Sequence, residues 1–199
     1  MEKLLQLQQL LDKTKSFDFL GPLALRLYLA PIFILAGSNK LAHVEDVAGW
    51  FEWIGMPAPT LMVYLAGLTE LLGGIALIAG LALRWFAIPM MFTMVVAAGT
   101  AHWENGWHAL PETELTVPWE WKKDKIDEAL KRKEAAKAIL KEHGNYEWLT
   151  QYGGITILKN GIEFAATYFI MLLALFFTGA GKLSLDHLIY RKLAPDAIS

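Results

Sequence analysis

The 199-residue sequence contains no cysteine, which excludes disulfides, a catalytic thiol, cysteine-ligated iron–sulfur clusters and covalently attached c-type haem. It also lacks an excess of positive charge, because 18 Lys and Arg stand against 20 Asp and Glu, for a net charge of −2. This balance gives no electrostatic footprint for nucleic acid. A third shortage is local: Glu70 and Arg84 are the only charged residues between Thr60 and Ala101.

The stretches with few charges are long enough to cross a bilayer. Residues 60–101 would form about 63 Å of helix at ~1.5 Å per residue, which is two crossings of a core about 30 Å thick. Hydrophobic residues make up 55% of the chain, more than in ordinary soluble domains. We therefore predict an all-α integral membrane protein, a single domain over residues 1–199. Its four-helix bundle has spans at about 21–41, 60–83, 85–101 and 157–178.

A polar segment of about residues 102–152 separates the third and fourth predicted spans. Within it, Lys122–His143 has apolar residues at roughly helical spacing, and Gly144 follows as a C-terminal stop, which predicts a helix. Its apolar stripe favours a helix that docks on one face of the bundle. The alternative is a freely solvated helix. The N-terminus has leucines at helical spacing without a secretory h-region, and both it and residues 44–55 are predicted to form amphipathic helices on the membrane surface.

Ionisable residues inside spans cost ~2.5–3.5 kcal/mol each at mid-bilayer on insertion scales, so they are candidates for function. Measured from the insert side at ~1.5 Å per residue, Lys40 and His102 lie within about 3 Å of the boundary. By the same measure Glu163 is about 8 Å deep and Glu70 about 15 Å deep. Helical spacing aims all four at one polar pocket. The alternative is a buried ion-pair network that fixes helix register without chemistry.

A second polar group lies toward the opposite face of the predicted bundle. Ser184 is expected to be the N-cap of a terminal helix, with Asp186 in its first turn, where a carboxylate is favoured. A salt bridge from Asp186 to Arg84 or Arg26 would attach that helix to the bundle. We predict structural roles for all four residues.

The segment HWENGWH places His102, Glu104 and His108 close together in the sequence. Their spacing matches no strong ligand signature, and an aromatic turn at the membrane interface explains the segment equally well, so we predict no metal site. No second histidine lies at a compatible depth for b-type haem, and no phosphate loop or nucleotide-binding turn occurs.

Four motifs occur in a defined order along the sequence: an early Arg in span one, A-G-x-x-K-L at its end, E-x-x-G-G in span two, and a terminal G-x-G-x-x-S-x-D. They fall at Arg26, the Gly37 to Lys40 stretch, Glu70 to Gly74, and Gly179 to Asp186. In their order and spacing these motifs resemble those of the DoxX-like family of four-helix bacterial membrane proteins. The resemblance covers about Leu20–Ala101 and Asn160–Ile189. The long insert departs from the shortest members, and its ending EHGNYEWLTQYGG is similar to a subgroup encoded beside bufferin-type metal-stress peptides.

The resemblance implies the bacterial inner membrane and an association with membrane oxidoreductase systems, including thiosulfate:quinone oxidoreductase, without assigning a reaction. The excess of Lys and Arg on the side of the termini predicts that they are cytoplasmic and the insert periplasmic.

The first functional hypothesis is a subunit or accessory of a quinone-linked oxidoreductase. The four pocket residues would exchange protons with a quinone, and Asn39 and Asn160 would contact its head group. The sequence shows no redox centre, so any enzymatic activity would need a partner protein or a bound cofactor. The alternative is a non-enzymatic scaffold for a metal- or oxidative-stress partner; a small-solute permease is less favoured. We expect the lipid bilayer and either a partner protein or a second copy of the chain as binding partners.

Overall fold

The computed structural model describes residues 1–110 and 117–194, and over these residues the fold is helical with no β-strand. This confirms the all-α class. The predicted domain and insert also include residues 111–116 and 195–199, which lie outside the described residues. The helices are α1 Glu2–Asp12, α2 Leu20–Ala42, α3 Val44–Trp53, α4 Pro59–Ala79, α5 Leu83–Ala97, α6 Lys123–His143, α7 Tyr146–Leu149, α8 Glu163–Thr178 and α9 Leu185–Leu193.

The chain forms two compact units. The first contains Met1–Thr93 and the described residues from Tyr168 onward, and the second contains Met94–Thr167. The first unit holds α1 to α4 and α9, and the second holds α6 and α7. The predicted insert thus belongs to a unit with its own internal contacts.

In the described part of the chain, three helical stretches are long and apolar enough to cross a membrane, and they overlap the first three predicted spans. They are α2, α4 and the continuous stretch Leu83–Asn105, in which α5 passes into a π-helical turn at Ala98–His102. Helix α4 ends at Ala79 and not at residue 83, where the second predicted span ends. Gly80 adopts a left-handed conformation (φ 63°) that terminates the helix.

The predicted start of the fourth span at residue 157 is wrong. Helix α8 begins at Glu163 and has 16 residues, a length of about 24 Å at ~1.5 Å per residue, short of a core about 30 Å thick. The residues before it are held out of the helix by backbone hydrogen bonds to an earlier segment, including those from Lys159 and Asn160 to the Ala109 carbonyl. Asn160 also has a positive φ of 63°, which interrupts a helix.

Helices α2 and α4 pack with their backbones close together at glycines. A Cβ added at Gly37 would lie 2.5 Å from the Leu71 nitrogen and 2.6 Å from the Gly67 carbonyl oxygen. A Cβ at Gly74 would lie 2.9 Å from the Ile34 nitrogen. Helical spacing places Gly67 and Gly74 on the same face of α4 as Glu70, and this face of small residues serves close helix packing, as in membrane bundles.

Substituting Gly37→Ala should separate α2 from α4 and destabilise the protein by about 1–3 kcal/mol, because the added methyl collides with backbone atoms that cannot rotate away. The matched control is Gly21→Ala in the same helix, where an added Cβ meets nothing within 4 Å. We expect the control to be neutral or to gain up to about 1 kcal/mol from helix propensity. Thermal unfolding in detergent measures both, and equal effects would contradict the packing argument.

The predicted amphipathic helices form. Helix α3 buries Phe51, and α6 covers the predicted stretch almost to the residue, with Gly144 directly after it. Ile126 and Ala129 are buried, whereas Ile139 is 61% exposed. The insert helix therefore packs most closely through its N-terminal half, whereas in the C-terminal half of the stripe Ile139 lies on the surface.

Candidate functional site

Lys40 and Glu70 form an ion pair between α2 and α4. The Lys40 Nζ donates a 2.7 Å hydrogen bond to Glu70 Oε2, and the side chains are 24% and 7% exposed. Close helix packing makes the pair possible, since a Cβ on Gly67 would lie 3.4 Å from the Lys40 Cβ and its absence leaves room for the lysine side chain. The deepest acid predicted from the sequence thus has a cationic partner within the same unit.

The chemistry of this pair is that of a donor and an acceptor held side by side. An ammonium carries three N–H donors and a carboxylate two oxygens, so one hydrogen bond between them leaves both with capacity for a further partner. Lys40 is the more accessible of the two, whereas Glu70 is almost fully enclosed. A ligand would therefore meet the ammonium first and reach the carboxylate beside it.

In the second unit His102 lies against the backbone of Asn160. The Nδ1 of His102 is 3.0 Å from the Asn160 carbonyl oxygen, and the Asn105 side-chain amide donates to the same oxygen at 3.3 Å. Because a carbonyl oxygen only accepts, Nδ1 is the donor of this hydrogen bond. Glu163 accepts a 2.9 Å hydrogen bond from the Ala109 backbone N–H.

The structure therefore brings the predicted pocket residues together in pairs. Lys40 joins Glu70 in the first unit, and His102 joins Asn160 in the second. Asn39 is exposed, and its carbonyl oxygen accepts the His43 backbone N–H at 3.1 Å. A single pocket that includes all of them stays a prediction.

The sequence analysis missed a buried charged cluster in the second unit. Glu120 Oε2 accepts hydrogen bonds from His108 Nδ1 at 2.7 Å and from the Lys159 ammonium, and all three side chains are at most 2% exposed. Glu120 also accepts from the backbone N–H groups of Trp107, His108 and Lys122 at 2.9–3.1 Å. A possible signal was the position of Glu120 between two tryptophans, an apolar setting for a charge.

Hydrogen bonding determines the ionisation of Glu120. Burial by itself would raise the pKa of the Glu120 carboxyl, but hydrogen bonds from Lys159, from the backbone of Lys122 and His108 and from the His108 ring outweigh it. The pKa is lowered well below the ordinary glutamate value, so Glu120 is a carboxylate at neutral pH.

The cluster lies where two chain segments join. The backbone N–H groups of Gly161, Ile162 and Glu163 donate to the carbonyl oxygens of His108, Gly106 and Trp107 at 2.9–3.0 Å. This approach requires glycine at 161, because a Cβ there would lie 2.5–2.6 Å from those three carbonyl oxygens. Backbone pairing and the charged cluster therefore form one core of the insert.

Substituting Gly161→Ala should destabilise the second unit by about 1–3 kcal/mol, since three backbone oxygens would have to move away from the methyl group. Gly99→Ala is the control in the same unit, because an added Cβ there meets nothing within 4 Å. Limited proteolysis of the insert in detergent measures the difference. Equal cleavage rates for the two variants would show that the close approach is unimportant.

Arg26 is buried and bound entirely to backbone carbonyls in the contacts that the structure shows. It donates to Leu77 at 2.8 Å, to Ile78 at 2.9 Å, to Ala180 at 2.7 Å and to Leu183 at 2.8 Å. It thereby ties the end of α4 to the segment that precedes α9. This geometry suits the structural role predicted for it.

The predicted salt bridge from Asp186 to Arg84 or Arg26 is wrong. The terminal helix α9 is attached to the bundle by other contacts. The Asp186 carboxylate accepts the backbone N–H groups of Ala82 at 2.7 Å and Leu83 at 3.2 Å, and Arg84 donates to the Phe177 carbonyl at 3.0 Å. The carboxylate thus satisfies backbone N–H groups at the start of α5, where the helix dipole also favours a negative charge. As predicted, Ser184 is the N-cap, its Oγ accepting the His187 N–H at 3.1 Å.

Within residues 1–110 and 117–194, no group of three or more His, Cys, Asp or Glu side chains could hold a metal ion. The histidines of HWENGWH are instead used separately, with His102 against Asn160 and His108 against Glu120.

Comparison with known proteins gives one family model and two relatives that match part of the chain. Residues 21–103 match the family model DoxX. The chain is 34% identical over 83 residues to "Putative oxidoreductase CatD" of Bacillus subtilis, which covers 42% of this chain and 60% of that protein. It is 33% identical over 76 residues to an uncharacterized membrane protein of Mycobacterium tuberculosis, covering 38% and 47%. The matches thus span about half of each relative. No solved structure matches.

Proposed function

We propose that the chain, whose residues 21–103 match the DoxX family model, is a DoxX-type accessory subunit of a quinone-linked oxidoreductase system in a bacterial inner membrane. The observation that carries the proposal is the ion pair of Lys40 and Glu70 inside apolar helices. A relative named as an oxidoreductase supports the redox setting. Ionisable pairs at membrane depth are expensive, which favours a functional reason for this one.

The pair matches both states of a quinone head group. A quinone oxygen accepts a hydrogen bond, which the Lys40 ammonium can donate while it stays bound to Glu70. A quinol hydroxyl donates, and the second oxygen of the Glu70 carboxylate can accept it. The chain's part is to bind the head group and to hold or accept its proton, and we assign the electron-carrying centre to a partner protein.

A scaffold that recruits a stress-response partner is the second candidate. The observation that favours it is the insert, which has its own charged core and large exposed apolar side chains beyond α6, among them Trp148 at 68% and Tyr152 at 96% exposure. A scaffold needs a stable exposed surface and no quinone. The insert is then the part that a partner contacts.

Extraction of bound quinone distinguishes the two functions. We expect protein purified in a mild detergent to retain quinone in a near-stoichiometric amount, measured by chromatography of an organic extract. An unrelated membrane protein purified from the same cells is the control for carry-over. Quinone at the control level, together with a stoichiometric protein partner, would replace the quinone proposal by the scaffold.

A further inference from the structure

A polar groove lies on the first unit beside the turn that joins α4 to α5. Its volume is about 820 Å³, and its lining includes Asp18, Arg84, Lys182, His187 and Tyr190. Arg84 is exposed and uses one N–H on the Phe177 carbonyl, and a guanidinium has five N–H donors in total. The groove therefore presents a guanidinium, an ammonium, an imidazole and a phenol around one space.

The groove is lined by two cations, Arg84 and Lys182, together with two acids, Asp18 and Asp186. The acids are engaged in ways that leave the cations able to bind an anion. The carboxylate of Asp186 is occupied by two backbone N–H groups, and Asp18 pairs with Lys182 at 2.8 Å in an exposed contact. Exposed pairs contribute little and exchange partners readily, so Lys182 can turn to another anion.

The groove is lined by Pro22 near the start of α2 and by Arg84 at the start of the stretch Leu83–Asn105, which are both membrane-length helices. Lipid head groups would lie at such helix ends, and Trp85, next to Arg84, is 78% exposed, as expected of an interfacial tryptophan. Helix α9 is fixed to the same turn by the hydrogen bond from the Asp186 N–H to the Gly80 carbonyl at 2.9 Å. Its exposed apolar residues and its basic last turn suit a helix that lies in the interface: Leu185, Leu188, Ile189, Leu193, Arg191 and Lys192.

We propose that this groove, the α9 groove, binds the phosphate of an anionic phospholipid head group, with Arg84 and Lys182 as its charged contacts. A phosphate offers several acceptor oxygens, and a guanidinium binds them with paired N–H groups. The lipid's acyl chains would lie along the apolar face of the span ends, and α9 would cover the head group from the aqueous side. The site is separate from the Lys40–Glu70 pair and does not depend on the quinone proposal.

The test uses the full chain in detergent with the natural lipid removed. Phosphatidylglycerol and phosphatidylcholine in mixed micelles are titrated separately, and the apparent Kd is measured by thermal shift and by native mass spectrometry. We expect phosphatidylglycerol to bind at least tenfold more tightly than phosphatidylcholine. Arg84→Gln and Lys182→Gln should each weaken it about five- to tenfold, since each loses a charged contact. The matched control is Arg132→Gln, because the Arg132 side chain is exposed on α6. This substitution should leave the affinity for both lipids unchanged.

Lys182→Gln keeps the test decisive if Arg84→Gln folds poorly, because the Lys182 contact with Asp18 is exposed. Equal binding of the two lipids, or an unchanged preference in folded Lys182→Gln protein, would overturn the proposal. Inorganic phosphate and glycerol phosphate are the soluble probes. If either soluble probe raised the thermal stability as much as the lipid does at the same concentration, the groove would be a site for soluble anions and not for lipid.

Discussion

Substituting Glu120→Leu is expected to destabilise the second unit by about 3–5 kcal/mol, the range found when one partner of a buried ion pair is removed. The change leaves the Lys159 ammonium buried without its carboxylate, and it removes the acceptor of the Trp107, His108 and Lys122 backbone N–H groups. Hydrogen exchange of peptides from the insert, followed by mass spectrometry in detergent, measures the loss of protection.

Two further variants separate the ion pair from simple side-chain loss. Glu134→Gln breaks only an exposed pair with Lys137 and should change stability by less than about 0.5 kcal/mol. The double variant Glu120→Leu with Lys159→Met removes both charges. We expect its loss of stability to be smaller than the summed losses of the two single variants by about 1–3 kcal/mol. Strict additivity would show that the two side chains are not coupled.

The Glu120 contribution should also depend on pH. Its folded pKa is lowered below the ordinary value of 4.5, so the carboxylate stabilises the insert fully above that value. The stabilisation is lost progressively as the pH falls below 4.5 toward the folded pKa. The difference in protection between the wild type and Glu120→Leu should therefore shrink on acidification, and a difference that grows would contradict the ion-pair account.

Substituting Glu70→Gln is expected to lower quinone retention at least tenfold while the protein still assembles in the membrane. The amide keeps the shape and an oxygen that can accept from Lys40, which preserves the helix contact. It removes the negative charge that, under the proposed function, would accept the quinol proton. A tenfold loss corresponds to about 1.4 kcal/mol of binding free energy. Extracted quinone per protein, membrane abundance and thermal stability are measured on the same preparation.

Glu70→Leu and Glu104→Gln complete the series. The leucine variant leaves Lys40 without its partner and should lower stability as well as quinone retention, by about 1–3 kcal/mol for the stability. Glu104 is exposed and paired with Lys122, so its substitution should affect neither measurement. A Glu70→Gln protein with full quinone content would rule out the carboxylate as the proton acceptor, and the pair would then only fix the helix register.

The sequence by itself determined the membrane class, three of the spans, the insert helix and the packing of glycines around Glu70. These features depend on local composition: a run of residues without charge must leave water, and a face of small residues allows two helices to approach. The N-cap at Ser184 was also predictable, because capping involves only neighbouring residues.

Only the tertiary structure decided which polar groups meet. Glu120 pairs with a lysine 39 positions away, and Arg26 binds a carbonyl 154 positions away. Asp186 binds the backbone of the α4–α5 turn and not the arginines, and α8 starts at Glu163 because the residues before it pair with an earlier segment. Buried polar groups take whichever partner the fold brings within hydrogen-bond distance, and sequence spacing does not encode such distances.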